Sequence, residues 1–211
     1  MTAVGAPRTV LLVEGTSDRA AVLAVAVARG RDLTAEGVAV VAMGGATNVG
    51  RHLTAALADP GVVVAGLFDA AEERYVRGAV RRAGLGAAES REALEALGFF
   101  ACVKDLEDEL LRALGAAAAL AVVAEQGELG LFRTFQVQPF HRGRPVAAQL
   151  HRFIGTTSGR KARLDGALAA ALPADRVPRP IAALLDHVDV GSPPARGIGS
   201  PRGRAVPRLG A

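Results

Sequence analysis

The chain is predicted to adopt an α/β fold: a parallel sheet of about four strands sandwiched by helices, then a helical C-terminal extension. Three observations carry this. Up to Val103, short apolar runs alternate with helix-length segments. Each run is apolar throughout rather than at every second position, as expected of a strand covered on both faces. After Val103 only helical periodicity continues.

In order, "TVLLVEG" (9–15) reads as a first buried strand and "SDRAAVLAVAVARG" (17–30) as a helix with a Ser start and a Gly stop. "VAVVAMGG" (38–45) is a second strand, and "TNVGRHLTAALADPG" a helix ended by Asp-Pro-Gly. "VVVAGLFDA" (62–70) is a third strand, "EERYVRGAVRRAG" a third helix and "GFFACV" (98–103) a fourth strand. Beyond it, "LEDELLRALG", "AALAVVAEQG", "RPVAAQLHRFIG", "GRKARLDGALAAALP" and "RPIAALLDHV" read as helices, with 128–143 a connection of undefined form. The division expected is a core over 1–103, a helical extension over 104–188 that completes the site, and a tail over 189–211. That tail is rich in Pro, Gly and Arg and is expected to be disordered.

Composition narrows the function. Of the 211 residues 50% are apolar, enough for a packed core, but only 4% are aromatic. No apolar run approaches the roughly 18 residues of a membrane span. The N-terminus lacks the pattern of a signal peptide, and Cys102 is the single cysteine. A disulfide within the chain is excluded, and a cytoplasmic location with no membrane contact is expected. The isoelectric point of about 10.1 suggests nucleic acid. Yet Arg196, Arg202, Arg204 and Arg208 of the tail supply most of the +4 net charge, so residues 1–188 are close to neutral. Arg outnumbers Lys by 23 to 2, which draws attention to Lys104 and Lys161.

The chemistry lies at the strand ends, where parallel sheets bind ligands. The first strand ends at Glu14 and the third at Asp69; Asp105 and Glu107 follow the fourth. Crowded carboxylates need a cation, and hard oxygens suit Mg²⁺ or Mn²⁺. With one Cys and four scattered His, zinc is not expected. Most of these acids have a structural alternative as well. Asp18, Glu72, Glu73 and the acids of 105–109 could each occupy a first helical turn, with Ser17 capping the first helix. Glu14 is harder to explain that way, because it directly follows "VLLV", where a lone charge is costly to bury. In "MGGATNVG", Gly44 and Gly45 either cradle phosphate or make a tight turn capped by Thr47.

Taken together, "LLVEGTSD" followed by "GLFDAAEE" resembles the Toprim domain, and most closely the Toprim half of OLD-family (overcoming lysogenization defect) nucleases. The first motif of that family, "VEGxSD", is matched by Glu14, Gly15, Ser17 and Asp18. "MGGATNVG" is similar to its glycine turn, "DLEDEL" (105–110) to a third acidic motif, and "SGRK" (158–161) to a late basic motif. The resemblance covers roughly residues 8–188. It implies a Toprim-like sheet and a nuclease that hydrolyses phosphodiester bonds with two divalent ions, Mg²⁺ or Mn²⁺. Carried over, Glu14 and Asp69 would hold one ion. Asp18, Asp105 and Glu107 would hold the other, with Glu14 able to bridge, and Lys161 would offset charge on the phosphate.

Two departures qualify the resemblance. The second Asp of the family's Asp-x-Asp is Ala71 here, so Glu72, or failing that Glu73, must take its place. The family's ATPase domain has no counterpart: "GTTSGRK" is too short between its glycines for a P-loop and lacks the final Ser/Thr. Any ATP control would then come from a separate ATPase partner. The substrate implied is DNA, or RNA. The alternative is a Toprim module that binds nucleic acid or such an ATPase and has lost efficient chemistry with Ala71. A dinucleotide fold or a small-molecule phosphotransferase fits less well, since no nucleotide motif is present.

Overall fold

The computed structural model describes residues 7–191. Four parallel strands, β1 (Thr9–Val13), β2 (Val38–Ala42), β3 (Val63–Asp69) and β4 (Phe99–Cys102), form one sheet in the order β2-β1-β3-β4. In register, Leu12 lies beside Val41 on β2 and Gly66 on β3, and Asp69 lies beside Cys102. The chain therefore reverses its direction of winding between the central strands β1 and β3. Their carboxyl ends flank the crevice where this architecture places its ligands.

The sheet is covered on both sides because successive residues of each strand face opposite ways. Leu11, Val13, Ala65, Leu67, Phe100 and Cys102 pack with α1 (Thr16–Ala28) and with the helices that follow β4. Val10, Leu12, Val64, Phe68, Phe99 and Ala101 pack with α2 (Val49–Leu57), α3 (Glu73–Arg82) and α4 (Arg91–Ala96). The later helices are α5 (Leu106–Leu114), α6 (Ala116–Glu125), α7 (Leu129–Gln136), α8 (Val146–Ile154), α9 (Ser158–Ala170) and α10 (Arg179–Gly191). They share one continuous core with the sheet, so the boundary at 103/104 divides motifs rather than hydrophobic cores. At Gly98 (φ 86°) an added Cβ would lie 2.6 Å from His187 of α10, a measure of how closely the last helix abuts β4.

Two helices escape the sequence reading. α4 is only six residues long, begun by Ser90, whose hydroxyl accepts the Ala93 amide. α7 lies within the stretch left undefined, and its Phe132 and Phe135 are buried against Phe153 of α8. Its periodicity is too short to stand out without that tertiary contact. α10 runs to Gly191, past the boundary drawn at 188. The disorder expected of the tail concerns residues that, from 192 on, lie outside those described. Among the described residues no helix is long and apolar enough to cross a membrane.

Candidate metal centre

Glu14 is the first residue beyond β1, held there by backbone geometry. The amides of Gly44 and Gly45 both donate to its carbonyl, at 3.0 and 3.1 Å, and both glycines take positive φ (72° and 120°). The glycine turn after β2 thus anchors Glu14. Its two amides are engaged there rather than in cradling phosphate. Thr47 is not the cap expected; Asn48 closes the turn, its side-chain amide donating to the Met43 and Gly44 carbonyls. The start of α1 also differs. Ser17 lies buried inside the helix, and Gly15 is the N-cap. Asp18 reaches back to accept the Gly15 amide at 2.7 Å. One residue thereby both caps the helix and presents a carboxylate toward Glu14.

These acids crowd one another. One carboxylate oxygen of Glu14, Oε2, is buried without a hydrogen-bond partner. Burial pushes its carboxyl above the usual range, and the charges of Asp18 and Glu72 add to the effect. Asp18 is raised as well, chiefly by burial, with Asp105 contributing. Asp69, at the end of β3, is pushed up to about 7 by burial and then by Glu14, Asp18 and Asp105. Lys161 opposes the shift in all three. Four elements therefore converge electrostatically: the ends of β1 and β3, the first turn of α1, and the start of α5. Glu72 joins them through its effect on Glu14.

Asp105 and Glu107 are tied down differently. Asp105 is the N-cap of α5 and accepts the Asp108 amide at 2.8 Å. It also meets His151 Nε2 at 2.9 and 2.8 Å through its two oxygens. Burial works against this carboxylate, but His151 and the Asp108 amide hold it below the ordinary range. Glu107 is buried and bonded to Lys161 Nζ at 2.5 Å. Glu109 is buried too, accepting the Val103 amide and pairing with Arg112. The first turn of α5 is therefore not merely a solvated acidic turn.

The two glutamates after Asp69 separate cleanly. Glu73 is bound by Arg77 and Arg91, at 2.9 Å for Arg91 Nη2, and its carboxyl is lowered by Arg91 and Arg77 despite opposing burial. Ala71 is exposed. Glu72 is the one whose charge acts on Glu14.

The donors are hard oxygens and Glu14 has an unmatched one, so the residues fit a divalent cation in chemistry. Among the described residues, however, no three possible ligands stand close enough together to enclose one ion as they are. Glu107 and Asp105 would exchange present partners to serve as ligands. Sequence reasoning missed His151, whose scattered position gave no signal, and Asp165 of α9, which did leave one. Asp165 sits between Leu164 and Leu168 on a buried stripe, and it is entirely buried.

Residues 7–70, which hold Glu14, Asp18 and Asp69, match the model of the "Overcoming lysogenization defect protein-like, TOPRIM domain" family. The chain is similar to OLD-like Toprim domains. The C-terminal region of the Xanthomonas campestris pv. campestris OLD protein is 25% identical, with a TM-score of 0.64, and the match covers 88% of this chain and 94% of that one. The C-terminal region of the Burkholderia pseudomallei OLD protein is 21% identical, with a TM-score of 0.62, over 89% of this chain and 99% of that one. Among curated proteins none matches. The Toprim-like α/β fold expected from the motifs is the fold observed, helical extension included. The likeness implies a nucleic-acid-related, metal-binding domain of nuclease type.

Proposed function

We propose that the chain is a Mg²⁺- or Mn²⁺-dependent nuclease that hydrolyses phosphodiester bonds of DNA, or of RNA, at the carboxyl edge of its sheet. One observation carries this reading: carboxylates from the ends of β1 and β3 and the start of α1 crowd together, leaving Glu14 Oε2 buried without a hydrogen-bond partner and pushing Asp69 up to about 7, with Lys161 of α9 opposing. Glu14 and Asp69 would hold one ion, with Glu72 in the place of the family's second Asp. Asp18, Asp105 and Glu107 would hold a second. Bound divalent ions supply a hydroxide at neutral pH and counter-charge for the leaving oxygen. The chain's part is to orient and to compensate. Glu107, now paired with Lys161, would be free to serve as a ligand only on releasing it, and that ammonium would then be available to offset negative charge on the phosphate. His151 keeps Asp105 ionised and fixes its direction. Control by a separate ATPase belongs to the same reading.

The test is plasmid nicking by purified protein against rising Mn²⁺, with Glu14→Gln as the comparison. Metal-dependent nicking that Glu14→Gln abolishes supports the proposal; equal nicking by both proteins defeats it.

A second reading has its own support. Ala71 stands where the family's second Asp is expected, and among the described residues no three possible ligands stand close enough together to enclose one ion, as in a module that binds nucleic acid or an ATPase with weakened chemistry. Mn²⁺ binding and DNA binding without nicking would favour it.

A further inference from the structure

The buried side of α9 carries a carboxylate that the proposed chemistry does not use. Asp165 is 0% exposed, and neither of its oxygens has a hydrogen-bond partner. Leu164, Leu168 and Ala169 beside it are equally buried. An apolar side chain would suit that stripe, and an ionised carboxylate without donors is strongly disfavoured there. Some partner must therefore account for an acid at this position.

The packing shows where the partner would sit. α9 runs tightly along α1: a Cβ added at Gly166 would come 3.4 Å from the Ala20 Cβ. That approach places Asp165 within electrostatic reach of Asp18 on α1, Asp105 at the start of α5 and Lys161 one turn earlier. Burial, joined by the charges of Asp18 and Asp105, pushes its carboxyl up to about 8, with Lys161 opposing. Lys161 is bonded to Glu107, not to Asp165. Among the described residues no arginine, histidine or backbone amide serves it instead.

We propose that Asp165 is a further ligand of the divalent-cation centre, acting with Asp18 on the α1–α9 side of the site. The proposal rests on the metal-centre reading above and extends it to a residue outside the four motifs, one turn beyond Lys161 on α9. A hard, oxygen-preferring ion satisfies both orphaned oxygens at once, and it relieves the repulsion with Asp18 and Asp105 that a neutral donor would leave. It also explains why a carboxylate stands on a buried stripe where an apolar side chain would leave no polar atom unmatched.

Calorimetric Mn²⁺ titration of the full chain, alongside Asp165→Asn and Glu14→Gln, tests it. Asp165→Asn is expected to lose one ion, or at least about tenfold in affinity at one site. Its Mn²⁺-induced rise in melting temperature should shrink, while its metal-free melting temperature holds or rises. If Glu14→Gln loses Mn²⁺ and Asp165→Asn binds it like wild type, this inference is overturned and the metal centre stands. If neither variant changes Mn²⁺ binding, both fall. Should Asp165→Asn fail to fold by circular dichroism, hydrogen exchange of the wild type decides. Mn²⁺ must then slow exchange of the amides at 165–169, and unchanged exchange there overturns the inference.

Discussion

Glu72 and Glu73 are neighbours in sequence and belong to different electrostatic regions. Glu73 lies on the α3–α4 surface, where Arg77 and Arg91 hold its carboxylate and lower its pKa. Glu72 lies close enough to the strand ends for its charge to raise Glu14. On that surface Glu73 is balanced by Arg77 and Arg91, and Glu95 by Arg179. The strand-end region leaves Glu14 Oε2 unmatched and pushes Asp69 to about 7. Between these two neighbours, compensation and not acid content makes the difference.

The largest effect is expected where compensation is poorest. Glu14→Gln should lower nicking by more than about a hundredfold, as loss of a group that holds the reactive centre does. Its metal-free melting temperature should hold or rise, because an isosteric amide removes a repelling charge. Wild-type nicking by this variant would erase the distinction between the two regions.

The next effect concerns pH. Asp69 is raised from its ordinary value to about 7, so between about pH 4 and 7 the folded state binds more protons than the unfolded chain. Its contribution to metal-free stability is therefore greatest below pH 4 and falls as pH rises to 7. Glu73, whose pKa is lowered, acts with the opposite sign and loses its contribution as pH falls through the acid range. Thermal melts of wild type and Asp69→Asn across pH 4 to 8, without metal, read the difference. The Asn variant should gain relative stability as pH rises, and parallel curves would show that Asp69 is solvated like any surface acid.

A smaller effect sharpens the comparison at adjacent residues. Glu72→Ala should weaken Mn²⁺ binding about tenfold or more with little change in stability. Glu73→Ala should leave Mn²⁺ binding intact and cost about 1 kcal/mol or less, as partly exposed ion pairs do. Calorimetry with thermal melts of both variants would expose a reversed assignment. The smallest effect is a gain: Ala71→Asp should tighten Mn²⁺ binding by a few fold, since a short carboxylate there can turn in without moving Glu72. Unchanged binding would mean that Ala71 points away from the centre for good.

Local pattern was enough for the four strands and for placing Glu14 and Asp69 at strand ends and Asp18 in the first turn of α1. A continuous apolar run followed directly by a carboxylate is visible in "VLLVEG" and "GLFD", because burial on both faces removes every polar residue until the strand ends. Charge signs alone could not separate Glu72 from Glu73, since Arg91 is supplied from the start of another helix. α7 needed Phe153 to become a helix in a stretch without long periodicity. The glycine turn was legible as a turn, but its use as an anchor for the Glu14 carbonyl depends on β1 and β2 lying side by side. Likewise "RLDGAL" announces a helix with an acid on its apolar stripe. That this acid faces Asp18 and Asp105 follows only from α9 packing on α1, because short-range preference acts within a few residues and charge meets charge across the fold.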